Sequence, residues 1–224
     1  INGHTEIAKL LIEKMAVLNV QDKKGYTPLH VACIKSHTEI AMVLIEKGAD
    51  VNICDKNGCT PLHYACYFNG NTEVVKALIN KGAVLNVQDI NGVTPLHCAC
   101  IKNHTEIAMV LINKDADVNA IDQNGNTPLH HALRKGHAEV AMTVIDQGAD
   151  VNARDKDGNT PLHKAIKQDH TELAKALIEK GAHIKEFSKD IETCPICTDH
   201  KKLIILPCST STANHSVCPE CIMG

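Results

Sequence analysis

Five cysteines and a histidine near the C-terminal end hold the densest chemistry in this 224-residue chain: Cys194 and Cys197, Cys208, His215, then Cys218 and Cys221. Two Cys-x-x-Cys pairs supply four thiolates, enough for one tetrahedral zinc ion, since two intervening residues let both sulfurs of a pair reach one metal. A disulfide framework and a zinc ribbon using the two pairs alone are competing readings. The histidines behave differently. Ten of the 14 recur at fixed places: His30, His63, His97, His130 and His163 inside TPLH, and His4, His37, His104, His137 and His170 just before a helical stretch. A metal or catalytic role would need a reason to recur in every unit, whereas a ring hydrogen-bonded to neighbouring backbone explains the recurrence directly. The Glu of each HTE tripeptide points around its helix rather than at the His. Cys33, Cys66 and Cys100 share one recurring position and are expected to fill small buried sites, where Leu133 and Ile166 stand in the last two units. A redox role for Cys54 or Cys59 would require a depressed pKa. No Walker loop, HExxH, nucleophile elbow or Rossmann glycine pattern occurs, so nothing in the repeats reads as catalytic.

Those residues are positioned by a period. TPLH begins at residues 27, 60, 94, 127 and 160, at spacings of 33, 34, 33 and 33. Around each copy the frame returns: Asp, two variable residues, Gly, one variable residue, TPLH, an apolar stretch, and a second stretch ending near Gly-Ala-Asp. Thr27 is expected to N-cap a helix whose first position is Pro28, where the missing amide costs nothing. Thr38 is expected to cap the second helix, with Glu39 favoured in its first turn. Ile40, Ala41, Leu44 and Ile45 share one face at helical spacing. Gly48 is placed to end that helix in the left-handed conformation. Asp55 to Gly58 reads as a β-turn. Met15 and Asp115 replace the terminating Gly and should each cost roughly 1 kcal/mol. The second unit carries one extra residue near Asn69 to Asn71, in a turn that absorbs it cheaply. Residues 17–52 match residues 84–119 at 29 of 36 positions, which points to duplication of a two-unit block.

The frame closely resembles the ankyrin repeat in period and in its TPLHxA signature. The resemblance covers residues 1–184 and opens mid-repeat. It implies an all-α solenoid of helix-turn-helix units joined by β-hairpins, with a partial first unit and five more from about 22, 55, 89, 122 and 155. Residues 185–193 read as a polar linker. By resemblance, a protein partner docks on the hairpin tips and first-helix faces, the concave side. Six variable positions per unit give thirty residues there. Ten are basic (Lys23, Lys24, Lys35, Lys56, Lys102, Arg134, Lys135, Arg154, Lys156, Lys167) and one, Asp157, is acidic. The rest of the chain carries 13 basic and 25 acidic residues. A face near +9 on a body near −12 would steer an acidic protein to the concave side, although an incidental solvated basic face is the alternative. Tyr26, Tyr64, Tyr67 and Phe68, four of the five aromatics, lie at or beside these positions in the first two units, and such residues are enriched at interface centres.

The order CPIC, LPC, His, HSVCPECI resembles the RING finger, the zinc domain of many ubiquitin ligases, over residues 194–224. That resemblance implies a first zinc site of Cys194, Cys197, Cys218 and Cys221 and half of a second from Cys208 and His215. It also implies contact with a ubiquitin-conjugating enzyme through Ile196, with Leu206 and Pro207 beside it; packing near the metal is the alternative role for Ile196. A ligase of this kind catalyses by positioning and needs no nucleophile of its own. A final Cys-x-x-Cys does not appear before Gly224, so these residues are expected to be inactive alone, even if the full-length protein is a ligase. A non-enzymatic ankyrin adaptor with a purely structural zinc knuckle is the competing expectation.

Composition narrows the classes further. Only 2% of residues are aromatic and the net charge is −3, which disfavours binders that stack bases or neutralise a nucleic-acid backbone. Apolar runs such as Ile40–Ile45 fall far short of the ~20 residues of a membrane span. The first residue is Ile1 and no secretion signal follows, so a fragment is expected. Eleven cysteines without an export signal point to a reducing, intracellular compartment, the cytoplasm.

Overall fold

The structure, a computed structural model, describes residues 2–14, 17–68 and 70–183. Among them the chain forms α1 (Asn2–Glu13), α2 (Pro28–Ile34), α3 (Thr38–Glu46), α4 (Pro61–Phe68), α5 (Thr72–Asn80), α6 (Pro95–Lys102), α7 (Thr105–Ile112), α8 (Pro128–Lys135), α9 (Ala138–Asp146), α10 (Pro161–Lys167) and α11 (Thr171–Glu179). The first helices α2, α4, α6, α8 and α10 stack in one row, and α1, α3, α5, α7 and α9 stack in a second. Leu29, Leu62, Leu96, Leu129 and Leu162 of the TPLH motifs are buried between the rows. Each unit is too thin to bury both its faces, so the core runs continuously along the stack.

Thr27 N-caps α2, its Oγ1 accepting from the His30 amide. The second helices differ from expectation. Their N-cap is the histidine (His37, His104, His137, His170), with no side-chain cap bond, and Thr38 lies inside the helix. The Thr38 hydroxyl instead accepts from Asn71 Nδ2 at 3.1 Å. Asn71, which replaces the histidine beside the extra residue, does cap α5, accepting from the Glu73 amide at 2.8 Å.

The expected β-hairpins prove to be tight turns without a ladder: among the described residues no strand forms. In each turn one Asp oxygen takes two amides, as Asp55 Oδ1 does from Asn57 and Cys59 at 2.8 and 2.9 Å. Two backbone bonds close the turn, Asp55 N–H to the Cys59 carbonyl and Gly58 N–H to the Asp55 carbonyl. The remaining backbone groups bond along the stack rather than across a hairpin, as in Lys56 N–H to Lys24 O and Gln123 N–H to Asn91 O. That close approach demands glycine. Gly92 has φ +76, and a Cβ there would lie 2.8 Å from the Gln123 nitrogen. Gly48 ends α3 at φ +87 and Asp115 adopts φ +67 at the equivalent place, so a non-glycine residue bears the left-handed conformation there. Met15 lies outside the described residues.

Candidate protein-binding face

The recurring histidines are framework, and their bonds show why. His30, His63, His97 and His130 each accept their own unit's Thr amide at Nδ1, at 3.0–3.1 Å, and face the next unit's carbonyl with Nε2 at 3.1 Å; His163 accepts its Thr160 amide in the same way, at 3.1 Å. With Nδ1 accepting, the single ring proton sits on Nε2 and donates to the carbonyls of Cys59, Val93, Asn126 and Asn159. Protonating Nδ1 would break the Thr amide bond in a buried place. Burial accordingly pushes His97 and His130 down to about 4, with the carbonyl bond opposing it only in part. The second histidine set also bonds across units: His104 Nδ1 to the Cys66 carbonyl at 2.9 Å and His137 Nε2 to that of Ile101 at 3.1 Å. These rings carry no chemistry beyond joining units.

The buried cysteines of the repeats are equally inert. Cys33, Cys66 and Cys100 are fully buried, and desolvation pushes Cys33 up to about 12 and Cys66 well above the ordinary thiol value. Cys59 is raised to about 12 by burial and by Asp55 and Asp89, which is the reverse of what a reactive thiol needs. Cys54 is exposed.

The aromatic residues come together as one chain of rings. Tyr26 meets Tyr64 edge-on at 5.8 Å, Tyr64 stacks over Phe68 at 6.2 Å, and Tyr67 meets Phe68 at 4.8 Å. Lys102 Nζ, from the following unit, stands 4.2 Å above the Tyr67 ring. Tyr64 is anchored from below, its hydroxyl donating to Asp55 Oδ2 at 2.6 Å, and burial followed by that carboxylate raises its pKa. Phe68 remains 48% exposed at the far end of α4. The rings thus form a platform, open on one side, built from the turn before α2 and from α4.

All ten predicted cations (Lys23, Lys24, Lys35, Lys56, Lys102, Arg134, Lys135, Arg154, Lys156 and Lys167) are exposed. Among the described residues none lies within 4.0 Å of a carboxylate, while Lys9, Lys76, Lys164, Lys175 and Lys180 elsewhere all do. Arg134 Nη2 instead donates to His131 Nδ1 at 3.0 Å, and His131 Nε2 donates to Asp122 Oδ2 at 2.9 Å. Burial lowers the His131 pKa, and Arg134 adds to that against the pull of Asp122, so the ring is neutral at pH 7. Burial opposes the ionisation of Asp122, yet the His131, Asn126 and Asn124 bonds prevail and lower its pKa. In the next unit Lys164 Nζ takes the same place on Asp155 Oδ2, at 2.5 Å. Nothing in the motif signalled this: the residue after TPLH reaches the turn Asp nine positions before it.

The α2 side of the stack is open. A cleft of about 430 Å³ there is lined by residues including Val20, Tyr26, Pro28, Val31 and Ile40. Val31 is 43% exposed, whereas its counterpart in the duplicated block, Cys98, is buried under α4.

Cys194, Cys197, Cys208, His215, Cys218, Cys221, Ile196, Leu206 and Pro207 lie outside the described residues. Among the described residues no cluster of three or more potential ligands could hold a metal, and no helix is long and apolar enough to cross a membrane.

A family model described as ankyrin repeats (3 copies) matches residues 1–89, 68–155 and 121–188. No RING or zinc-finger family model matches the chain. No curated protein matches it either. Periodic turns, TPLH caps and stacked helix pairs agree with the family match, and the chain belongs to the ankyrin-repeat family as a scaffold for protein–protein interaction.

Proposed function

We propose that the concave face captures an acidic protein, with Tyr26, Tyr64, Tyr67 and Phe68 as its apolar anchor and the exposed cations as its rim. The observation that carries this reading is a preassembled ring platform together with ten exposed cations, none of which has a carboxylate within 4.0 Å among the described residues. Rigid aromatic rings bring large contact area at small entropic cost, and rim charges raise association rates and set register. Selecting peptides from a random display library on the full chain tests it. The selected peptides should be rich in Asp and Glu, and Tyr67→Ala with Phe68→Ala should weaken them at least tenfold, the usual cost of losing a hot spot of about 1.4 kcal/mol or more. Binding that ignores both substitutions and ionic strength sinks the reading.

A second reading concerns residues 194–224, supported by the spacing of their thiols and by the RING resemblance. The donor set of two Cys-x-x-Cys pairs suits tetrahedral zinc. Cys194, Cys197, Cys218 and Cys221 would hold one ion, with Cys208 and His215 toward a second, and the module would recruit a ubiquitin-conjugating enzyme through Ile196, Leu206 and Pro207. The concave face would then present the substrate to that enzyme, and the zinc would supply structure only. Elemental analysis of the full chain should find about one zinc, lost in Cys194→Ser with Cys218→Ser. Ubiquitin transfer by the full-length protein that is lost in Ile196→Ala supports recruitment. Zinc without transfer by any conjugating enzyme leaves the adaptor, and a metal-free protein removes the module altogether.

A further inference from the structure

The floor of the concave face is polarised along the stack. Seven residues after the TPLH threonine, the edge of the first helices reads Ile34, Tyr67 and Ile101, then Arg134 and Lys167. The first three are half-buried and apolar or aromatic; the last two are exposed cations. Beside them Phe68 lies over the rings in α4, and Lys135 extends from α8. The turn tip before α10 adds Arg154 and Lys156, both exposed. No Phe, Tyr or Trp occurs after Phe68 up to the end of α11 at Glu179.

From this arrangement we infer that the face recognises a two-part peptide, an apolar or aromatic anchor over α2 to α6 and an acidic block over α8 and α10, joined by an extended spacer of fixed minimum length. The inference rests on the concave-face reading and specifies its ligand. The helices of a row are neighbours, and packed helices lie about 8–10 Å apart. Two steps separate α4 from α8 and three separate it from α10, so the span is about 16–30 Å. An extended chain covers about 3.3 Å per residue, so the spacer requires about five to nine residues. A shorter spacer leaves one half unbound. A longer one still reaches, and loses affinity only slowly, roughly as the −3/2 power of its length. Charge complementarity fixes the second half as acidic, since its floor carries Arg134, Lys135 and Lys167 without a paired carboxylate among the described residues.

Fluorescent peptides carrying Leu-Phe and three consecutive Glu, separated by Gly-Ser spacers of two, seven or fourteen residues and made in both orders, provide the test. Anisotropy with the full chain should show the seven-residue peptide binding about tenfold or more tighter than the two-residue one in at least one order, with the fourteen-residue peptide within about fivefold of the seven. Lys135→Glu with Lys167→Glu, exposed positions whose exchange should leave circular dichroism unchanged, should abolish that spacing preference. Equal affinity at all spacers, with Phe68→Ala and the charge reversal each still weakening binding, overturns the two-part geometry while leaving concave-face capture intact. Binding insensitive to both Phe68→Ala and the charge reversal overturns the concave-face reading itself.

Discussion

Acidification from pH 7 to pH 5 should destabilise this stack through its framework histidines. His97 and His130 are buried with Nδ1 already accepting an amide, and their pKa falls from 6.5 to about 4 on folding. Above pH 6.5 the rings are neutral whether folded or unfolded and stability is fully present. As pH falls from 6.5 towards 4, the unfolded chain takes up protons that the folded chain refuses, so stability is lost across that window. At pH 5 the linkage amounts to about 2 kcal/mol per ring, or about 4 kcal/mol for the pair. That is a large part of the roughly 5–15 kcal/mol that holds a typical domain together. His30, His63, His131 and His163 shift in the same direction, each chiefly by burial, and add to it. Urea unfolding followed by circular dichroism at pH 7 and pH 5 measures the loss. In the variant His97→Gln with His130→Gln, which titrates at neither place, the difference between the two pH values should shrink by about 4 kcal/mol. An unchanged difference, or an imidazole resonance of either ring titrating at 6.5 or above, refutes the argument.

Asp115→Gly should stabilise the chain by about 1 kcal/mol in the same urea assay, because Asp115 occupies φ +67 where glycine is unstrained. Gly48→Ala and Gly92→Ala separate two costs. Both sites have positive φ, but a Cβ at residue 48 meets open space and one at residue 92 meets the Gln123 nitrogen at 2.8 Å. The first should therefore lose about 1 kcal/mol in thermal or urea unfolding, and the second distinctly more. Alkylation of the native protein, mapped by mass spectrometry, should label Cys54 readily and reach Cys33, Cys66 and Cys100 only on unfolding.

The sequence made the framework legible because it states each rule five times. The Thr27 cap, the structural histidines and the burial of Cys33, Cys66 and Cys100 could all be read from recurrence. Thr38 misled because a threonine before a helix is a capping signal, while here the histidine ahead of it holds the cap place and Thr38 serves a neighbouring unit. What recurrence hides is the contact made by residues that vary. Tyr64 on Asp55, His131 on Asp122 and Lys164 on Asp155 are three answers to one geometric place, and only packing shows that they are equivalent. The ring chain from Tyr26 to Phe68 was likewise visible as four residues but not as one surface, because its members come from different units.

The hydrogen bonds between units set a short reach for the whole molecule. From His30 to the Cys59 carbonyl, 29 residues, up to His104 and the Cys66 carbonyl, 38 residues, each joins one unit to its neighbour. A chain wired this way has low contact order: folding closes only short loops, nucleates in any adjacent pair, and spreads outward. Its opening is equally local. The interior helices α6 and α8, each packed between two neighbours of its row, should exchange their amides last. The ring platform, built from the turn before α2 and from α4, and the cationic helices α8 and α10 lie on opposite sides of α6, so a ligand spanning both would clamp the array against its own unravelling.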